Sequence, residues 1–237
     1  METKTEPVIT PERFASGMTF IDYLDYIASP ENLAREGNEG APRVDRSPQL
    51  RAWFHAMKLQ EHQVEALRWL AGQAEGPAKV LAIVEEWSSD CRRDLPMLAR
   101  MAEAADLELR IFTRDGQRFS TGERPSAADS PNADLMSMFL NEKRGKTWQS
   151  VPVAAFFTSD LRFLYRYVEY PAIYEKDRVV YGHIRIPRPG ETPEDTRQRV
   201  DREFGALQQS PFFRLWAFAA VDEMLSALHR RSLLGAV

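Results

Sequence analysis

The residues best placed by type and spacing to do chemistry lie in one stretch, Trp87-Ser88-Ser89-Asp90-Cys91, continued by Arg92, Arg93, Asp94 and Pro96. Cys91 is the only cysteine in the chain. A thiol in the first turn of a helix, next to two arginines, is drawn toward thiolate, while Asp90 pushes the other way. In that state it is a nucleophile able to form a mixed disulfide. The competing reading makes Cys91 a small buried apolar side chain that packs and does not react. Ser88 also has two readings. Its hydroxyl is either a helix N-cap, contributing about 1 kcal/mol, or a donor that holds the thiolate of a bound thiol such as glutathione. Trp87 beside them either packs on the core or contacts a ligand. A serine does not ionise or form a disulfide near neutral pH, so Ser88 cannot take over the chemistry of a cysteine. His55, His62, His183 and His229 are scattered without metal-ligand spacing, so no metal is expected.

The elements that must hold this stretch can be read on either side of it. Val80-Leu81-Ala82-Ile83-Val84 is a branched apolar run of the length of a buried parallel strand. After it, Ser88 and Ser89 are N-cap residues, and Leu95, Leu98, Met101, Ala102 and Ala105 recur at helical spacing. Leu107, Leu109 and Ile111 then alternate with polar neighbours in a second strand that ends at Thr113-Arg114-Asp115. Strand, helix, strand in this order implies a right-handed crossover between parallel strands.

A strand ending in Trp, a Cys-x-x-Cys pair and a helix with a proline five residues after the second cysteine form the active-site pattern of thioredoxins. The chain resembles that family through Trp87, Ser88-Ser89-Asp90-Cys91 and Pro96, with Ser88 where the family has its exposed nucleophilic cysteine. The Asp before Cys91 and the Leu95-Pro96 pair look most like a bacterial branch of thioredoxin-like proteins that carries an N-terminal helical extension. The resemblance implies an α/β fold with a central mixed sheet flanked by helices, plus N-terminal and C-terminal helical extensions. It divides the chain into an extension over 1–77, a core over 78–170 and a mostly helical C-terminal extension over 171–237. It places Pro152, in Ser150-Val151-Pro152-Val153, where the family has a cis-proline facing the active-site loop. The implied substrate groove is Trp87, Ser89, Asp90, Val151 and Pro152, with Cys91 and Ser88 as catalytic candidates. The function implied is a degenerate thioredoxin-like protein that binds a thiol, disulfide or peptide partner without dithiol exchange. The alternatives are a single-cysteine redox protein acting through Cys91 and a glutathione-binding transferase-like enzyme using Ser88. Glutathione is the one cofactor the pattern suggests.

Residues 1–17 are a polar lead-in, and a short amphipathic helix runs from Thr19 to Ser29-Pro30. Residues 31–46 are a mobile loop, and one long helix runs from Ser47-Pro48 to Ala71. Residues 116–132 are a polar surface connection. A helix covers 133–142, closed by Lys143, Arg144, Gly145 and Lys146. An antiparallel strand follows the Thr158-Ser159-Asp160 turn, and a short edge strand lies within 172–190. Tyr165, Tyr167, Tyr170, Tyr174 and Tyr181 offer either strand packing or a recognition surface. Helices start at Thr192-Pro193 and Ser210-Pro211. The last has an apolar stripe of Phe212, Leu215 and Trp216 that the N-terminal helix with Trp53, Phe54 and Met57 should cover, a second copy of the chain being the alternative.

Composition sets the outer bounds. With 237 residues, 43% hydrophobic and 28% charged, the chain is long enough and apolar enough for a sizeable core. A formal charge of −4 provides no field to gather nucleic acid or anionic lipid, so neither is expected as a partner. The start METKTEPVITPERF lacks an apolar signal region and no membrane span is evident, which leads to an expectation of a cytoplasmic monomer or homodimer.

Overall fold

The computed structural model describes residues 6–143 and 145–234. The lead-in is not featureless. Thr10 caps α1 (Pro11–Ala15), accepting from the Arg13 amide. Thr19 and Asp22 form a capping box on α2 (Phe20–Ala28), which buries Tyr23, Leu24 and Ile27. The segment expected to be a mobile loop contains α3 (Pro30–Leu33) and a 3-10 turn, Asn38–Gly40, and sends Arg35 and Arg43 into the interior. Its Gly, Glu and Asn content hid this role, because the two arginines carry no periodicity.

The expected long helix is two, α4 (Ser47–Ala56) and α5 (Glu61–Ala71). The break falls at Met57, which is extended and buried, and Gln60 and Gln63 make a capping box on α5. Arg100 explains why the break is tolerated: its Nε donates to the Phe54 and Met57 carbonyls that α4 leaves open.

Next come β1 (Lys79–Val84), α6 (Ser89–Ala105) and β2 (Glu108–Thr113), with β1 and β2 parallel, as strand, helix, strand requires. The connection over 116–132 is pinned rather than loose. Asn132 Nδ2 donates to the Thr113 carbonyl at 2.8 Å, the Ser130 hydroxyl to the Arg114 carbonyl, and Ser120 and Ser130 are buried. The helix expected over 133–142 stops early, as α7 (Ala133–Met138), and β3 (Asn141–Lys143) pairs with β4 (Lys146–Trp148). Gly145, at φ 73°, makes the turn, so the basic cluster read as a helix end is a hairpin instead. Arg144, and Met1 to Thr5 of the lead-in, lie outside the described residues.

β5 (Val153–Phe157) and β6 (Phe163–Val168) complete a four-stranded sheet of order β2-β1-β5-β6, in which β5 is antiparallel to both neighbours. β1 and β5 are buried along almost their whole length, as central strands covered on both faces must be. The free edge of β2 is blunted by Met18, which exchanges main-chain hydrogen bonds with Ile111 at 2.9 and 2.8 Å. The result is a mixed α/β architecture of the thioredoxin type.

The edge strand expected within 172–190 is instead a helix, α8 (Ala172–Ile184). Strand propensity at Val179 and Val180 is overridden because one face packs Tyr174 on Trp216, with ring centroids 4.7 Å apart, while both valines face solvent. α9 (Pro193–Gln208) starts with a capping box at Thr192 and Asp195, and α10 (Pro211–Leu234) closes the chain. Of the α10 stripe, Trp216 is buried, as is its neighbour Phe213, whereas Phe212 and Leu215 stay exposed. Trp53 of α4 meets the Phe213 ring at 5.4 Å, and Gln63 of α5 donates to Asp222 at 2.7 Å. Cover for the buried face of α10 thus comes from the same chain, at no cost in association entropy, while Phe212 and Leu215 are left uncovered by it. Deleting residues 1–76 should leave an aggregating or unfolded chain in sedimentation and circular dichroism. A soluble monomer with a cooperative melt would contradict this packing.

Candidate functional site

The Ser88–Cys91 turn is the end of β1 delivered onto the start of α6. Ser88 is the N-cap: its Oγ accepts from the Cys91 amide at 3.3 Å. Cys91 is 2% exposed, and its sulfur receives the Glu85 amide at 3.4 Å. Burial pushes the thiol well above its ordinary range. The flanking arginines do not offset this, because neither donates to the sulfur. Arg92 donates to the Glu86 and Trp87 carbonyls at 2.9 and 2.8 Å. Arg93 donates to Asp90 at 2.7 Å and to both oxygens of Asp94 at 2.7 and 2.8 Å. The activated thiolate that residue types alone allowed is therefore corrected to a buried, protonated thiol.

Beneath the turn is a buried group of carboxyl and guanidinium side chains that the sequence reading did not find. Glu85 and Glu86 follow β1, Asp115 follows β2, and all three are buried. Arg43 bridges them, with Nη1 at 2.6 Å from Glu85 and 2.7 Å from Glu86, and Nη2 at 3.4 Å from Asp115. Arg35 reaches Glu85 at 3.2 Å and the Asp115 carbonyl at 2.5 Å. Trp87 Nε1 donates to Asp115 at 3.0 Å, and Arg114 pairs with the other Asp115 oxygen at 2.8 Å. Burial alone would lower the Arg43 pKa, but Glu85 and Glu86 outweigh it and hold the guanidinium protonated. The only signal in the sequence was Glu85-Glu86 directly after a buried strand, a position where carboxylates need cations.

A second buried ion group supports α6 from the other side. Tyr167 donates its hydroxyl to Asp94 at 2.8 Å, so this tyrosine is a packing and polar anchor, not a recognition surface. Tyr170 and Tyr174 meet edge to face at 4.9 Å and join the α8 and α10 contact.

In front of the turn is a groove of about 490 Å³. Four of the sequence-derived candidates line it: Trp87, Ser88, Asp90 and Val151. Ser89, Cys91 and Pro152 are not on its wall, and Cys91 and Pro152 are buried behind it. The Val151–Pro152 peptide is cis. Sequence reasoning missed Glu39, Arg114, Phe119, Trp148, Gln149 and Glu169, which complete the wall from four separate segments: the 3-10 turn before α4, the connection after β2, the end of β4 and the residue after β6. Phe119 meets Trp87 edge to face at 5.3 Å, and the Arg114 guanidinium carbon lies 5.0 and 4.9 Å from the two ring centres. Among the described residues, no side chain or main-chain group hydrogen-bonds the main chain of Val151, a buried residue that lines the groove. A second cleft of about 310 Å³, beside Met138, Phe163 and Arg166, contains none of the candidate residues. Among the described residues, no group of three His, Cys, Asp or Glu side chains is arranged to hold a metal.

Two outcomes follow from these charges. Replacing Arg43 by methionine leaves three carboxylates buried with fewer cations and should cost about 3–5 kcal/mol in urea unfolding. A loss below about 1 kcal/mol would mean that the ion group is not structural. Burial raises Asp90 to a pKa of about 6, against the pull of Arg93. A carboxyl that holds its proton more tightly when folded stabilises the fold as pH falls through that value and destabilises it as pH rises. Stability should therefore decline between about pH 4 and 6, less steeply than full burial would give because the Asp90 side chain is 22% exposed. Asp90→Asn should flatten that segment of the pH profile; an unchanged slope would assign it to another group.

Comparison with known proteins gives the following. The family model described as Thioredoxin matches residues 42–180, more than half of the chain. A crystal structure of a protein of unknown function from Pseudomonas aeruginosa is similar at TM-score 0.52 and 14% identity, covering 94% of this chain and 98% of that one. An HIV epitope-scaffold protein is similar at TM-score 0.48 and 15% identity, covering 94% of this chain and 96% of that one. No curated protein matches the chain. The match over 42–180, with the β2-β1-β5-β6 sheet and the turn from β1 into α6 at Ser88, makes the chain a member of the thioredoxin family.

Proposed function

We propose that this chain is a thioredoxin-family protein that keeps a ligand groove in front of the β1–α6 turn and has given up dithiol–disulfide exchange. The observation that carries the reading is the pairing of Ser88, a hydroxyl in the position of the nucleophile, with a Cys91 that is 2% exposed. Exchange requires an attacking thiolate and a second thiol to resolve the mixed disulfide. Ser88 supplies neither, and Cys91 is buried and protonated. What remains is a groove with aromatic walls and an unpaired main-chain segment at Val151. Such a segment suits an extended peptide, whose own amides and carbonyls can satisfy it. Residues 78–170 act as the core unit in this reading, with 1–77 and 171–237 as additions that brace it.

Glutathione is the second reading. Ser88 lines the groove, and its hydroxyl is both the cap that accepts from the Cys91 amide and a group able to donate. Calorimetry with reduced glutathione on the wild type and on Ser88→Ala separates the two: binding that the variant loses favours glutathione.

The wild type should show no catalytic reduction of insulin disulfides with dithiothreitol as reductant. Turnover that Cys91→Ser abolishes would overturn the reading. Ser88→Cys should place a thiol on the groove wall beside Cys91, and mild oxidation should then form an internal disulfide detectable by mass. A folded variant that stays fully reduced would mean that the turn does not bring the two sulfurs together.

A further inference from the structure

We infer that the groove selects a peptide segment carrying a lysine or arginine side chain, an inference that rests on the peptide-binding reading above. The wall presents three carboxylates, on Glu39, Asp90 and Glu169, against one cation, Arg114. Arg114 is already committed to Asp115 and to the faces of Trp87 and Phe119. Asp90 shares Arg93 with Asp94, one guanidinium against two carboxylates. Glu169 is paired with Lys143 at 2.6 Å, whereas Glu39 has no partner among the described residues. Arg92, a nearby cation without a carboxylate partner among the described residues, donates to the Glu86 and Trp87 carbonyls and to Gln208 and does not line the groove. The uncompensated charge on the wall is therefore negative.

Two further observations, independent of the carboxylates, favour a donor-bearing cation. Gln149 lines the groove and is 6% exposed; its Nε2 is fixed by Ser120 Oγ at 2.9 Å and the Gly122 carbonyl at 2.7 Å. Its Oε1 is a buried acceptor without a partner among the described residues. Such an acceptor is costly unless a donor reaches it, and ammonium and guanidinium groups carry only donors. Trp148, 50% exposed at the end of β4, offers an indole that Arg114 does not occupy, the ring type best suited to a cation. A free amine would satisfy the charge alone. The unpaired Val151 main chain on the same wall calls for a backbone as well, which a peptide supplies.

The test uses the full chain and three alanine-based heptapeptides, blocked at both ends, with a central lysine, leucine or glutamate. Binding is followed by tryptophan fluorescence and calorimetry at low and moderate salt. The lysine peptide should bind at least about tenfold more tightly than the glutamate peptide, and the gap should narrow with salt. Trp148→Ala, at an exposed ring, should weaken the lysine peptide by about threefold or more with the melt unchanged. Glu39→Gln should narrow the gap between lysine and glutamate peptides. Equal binding of the three peptides would overturn the charge selection while leaving the peptide groove in place. Binding of none would overturn both. Butylamine competing at the affinity of the lysine peptide would overturn the peptide part and leave an amine pocket.

Discussion

Much of this structure depends on satisfying three carboxylates where the parallel pair of strands, central β1 and edge β2, ends. Glu85, Glu86 and Asp115 are buried at the C-terminal edge of β1 and β2, and a buried carboxylate costs several kcal/mol unless it is paired and hydrogen-bonded. The cations come from far away in sequence, Arg35 and Arg43 from the segment before α4. That segment has little apolar surface of its own, so the ion pairs are what fix it against the sheet. Once it is fixed, Asp115 can orient Trp87 and Arg114, and these form one side of the groove. The N-terminal region is thus part of the site's support, although it contributes little to the groove wall.

The same turn explains how the chain keeps the fold with a single cysteine. An N-cap needs an oxygen that accepts a main-chain amide, and Ser88 provides it as an ordinary serine does. Cys91 fills a small volume behind the cap, and the Glu85 amide on its sulfur satisfies a donor that would otherwise be orphaned. Both residues therefore have structural roles that require no reaction. Asp90, between them in sequence, is held by Arg93, while Asp94 is anchored to Tyr167 across the sheet. The first turn of α6 is fixed on both sides by ion pairs, which gives the groove a rigid floor.

The sequence made the centre of the fold legible and left its margins obscure. Val80 to Val84, the Ser88 cap and the alternation at Leu107 to Ile111 each agree in propensity, pattern and capping, and each formed the expected element. Val179 and Val180 misled because a local β preference competes with tertiary packing, and the Tyr174 contact with Trp216 decided the outcome. Met57 interrupted an apolar pattern that continues in register across two helices, so periodicity could not reveal the break. Lys143 to Lys146 carry the charge sign of a helix end, and only the pairing of β3 with β4 shows a hairpin. In the site, Trp87, Ser88, Asp90 and Val151 could be found because a local motif contains them. Arg43, Phe119, Trp148 and Gln149 could not, since long-range folding alone brings them to the same place.

The account turns on Cys91 being closed to solvent in the folded protein. The most direct measurement is its rate of reaction with a thiol reagent such as dithionitrobenzoate across a urea series. The account predicts slow labelling in native buffer, rising with urea along the slope of global unfolding, so that the thiol reacts only when the fold opens. Labelling in native buffer at the rate of a free cysteine, insensitive to urea below the transition, would contradict it.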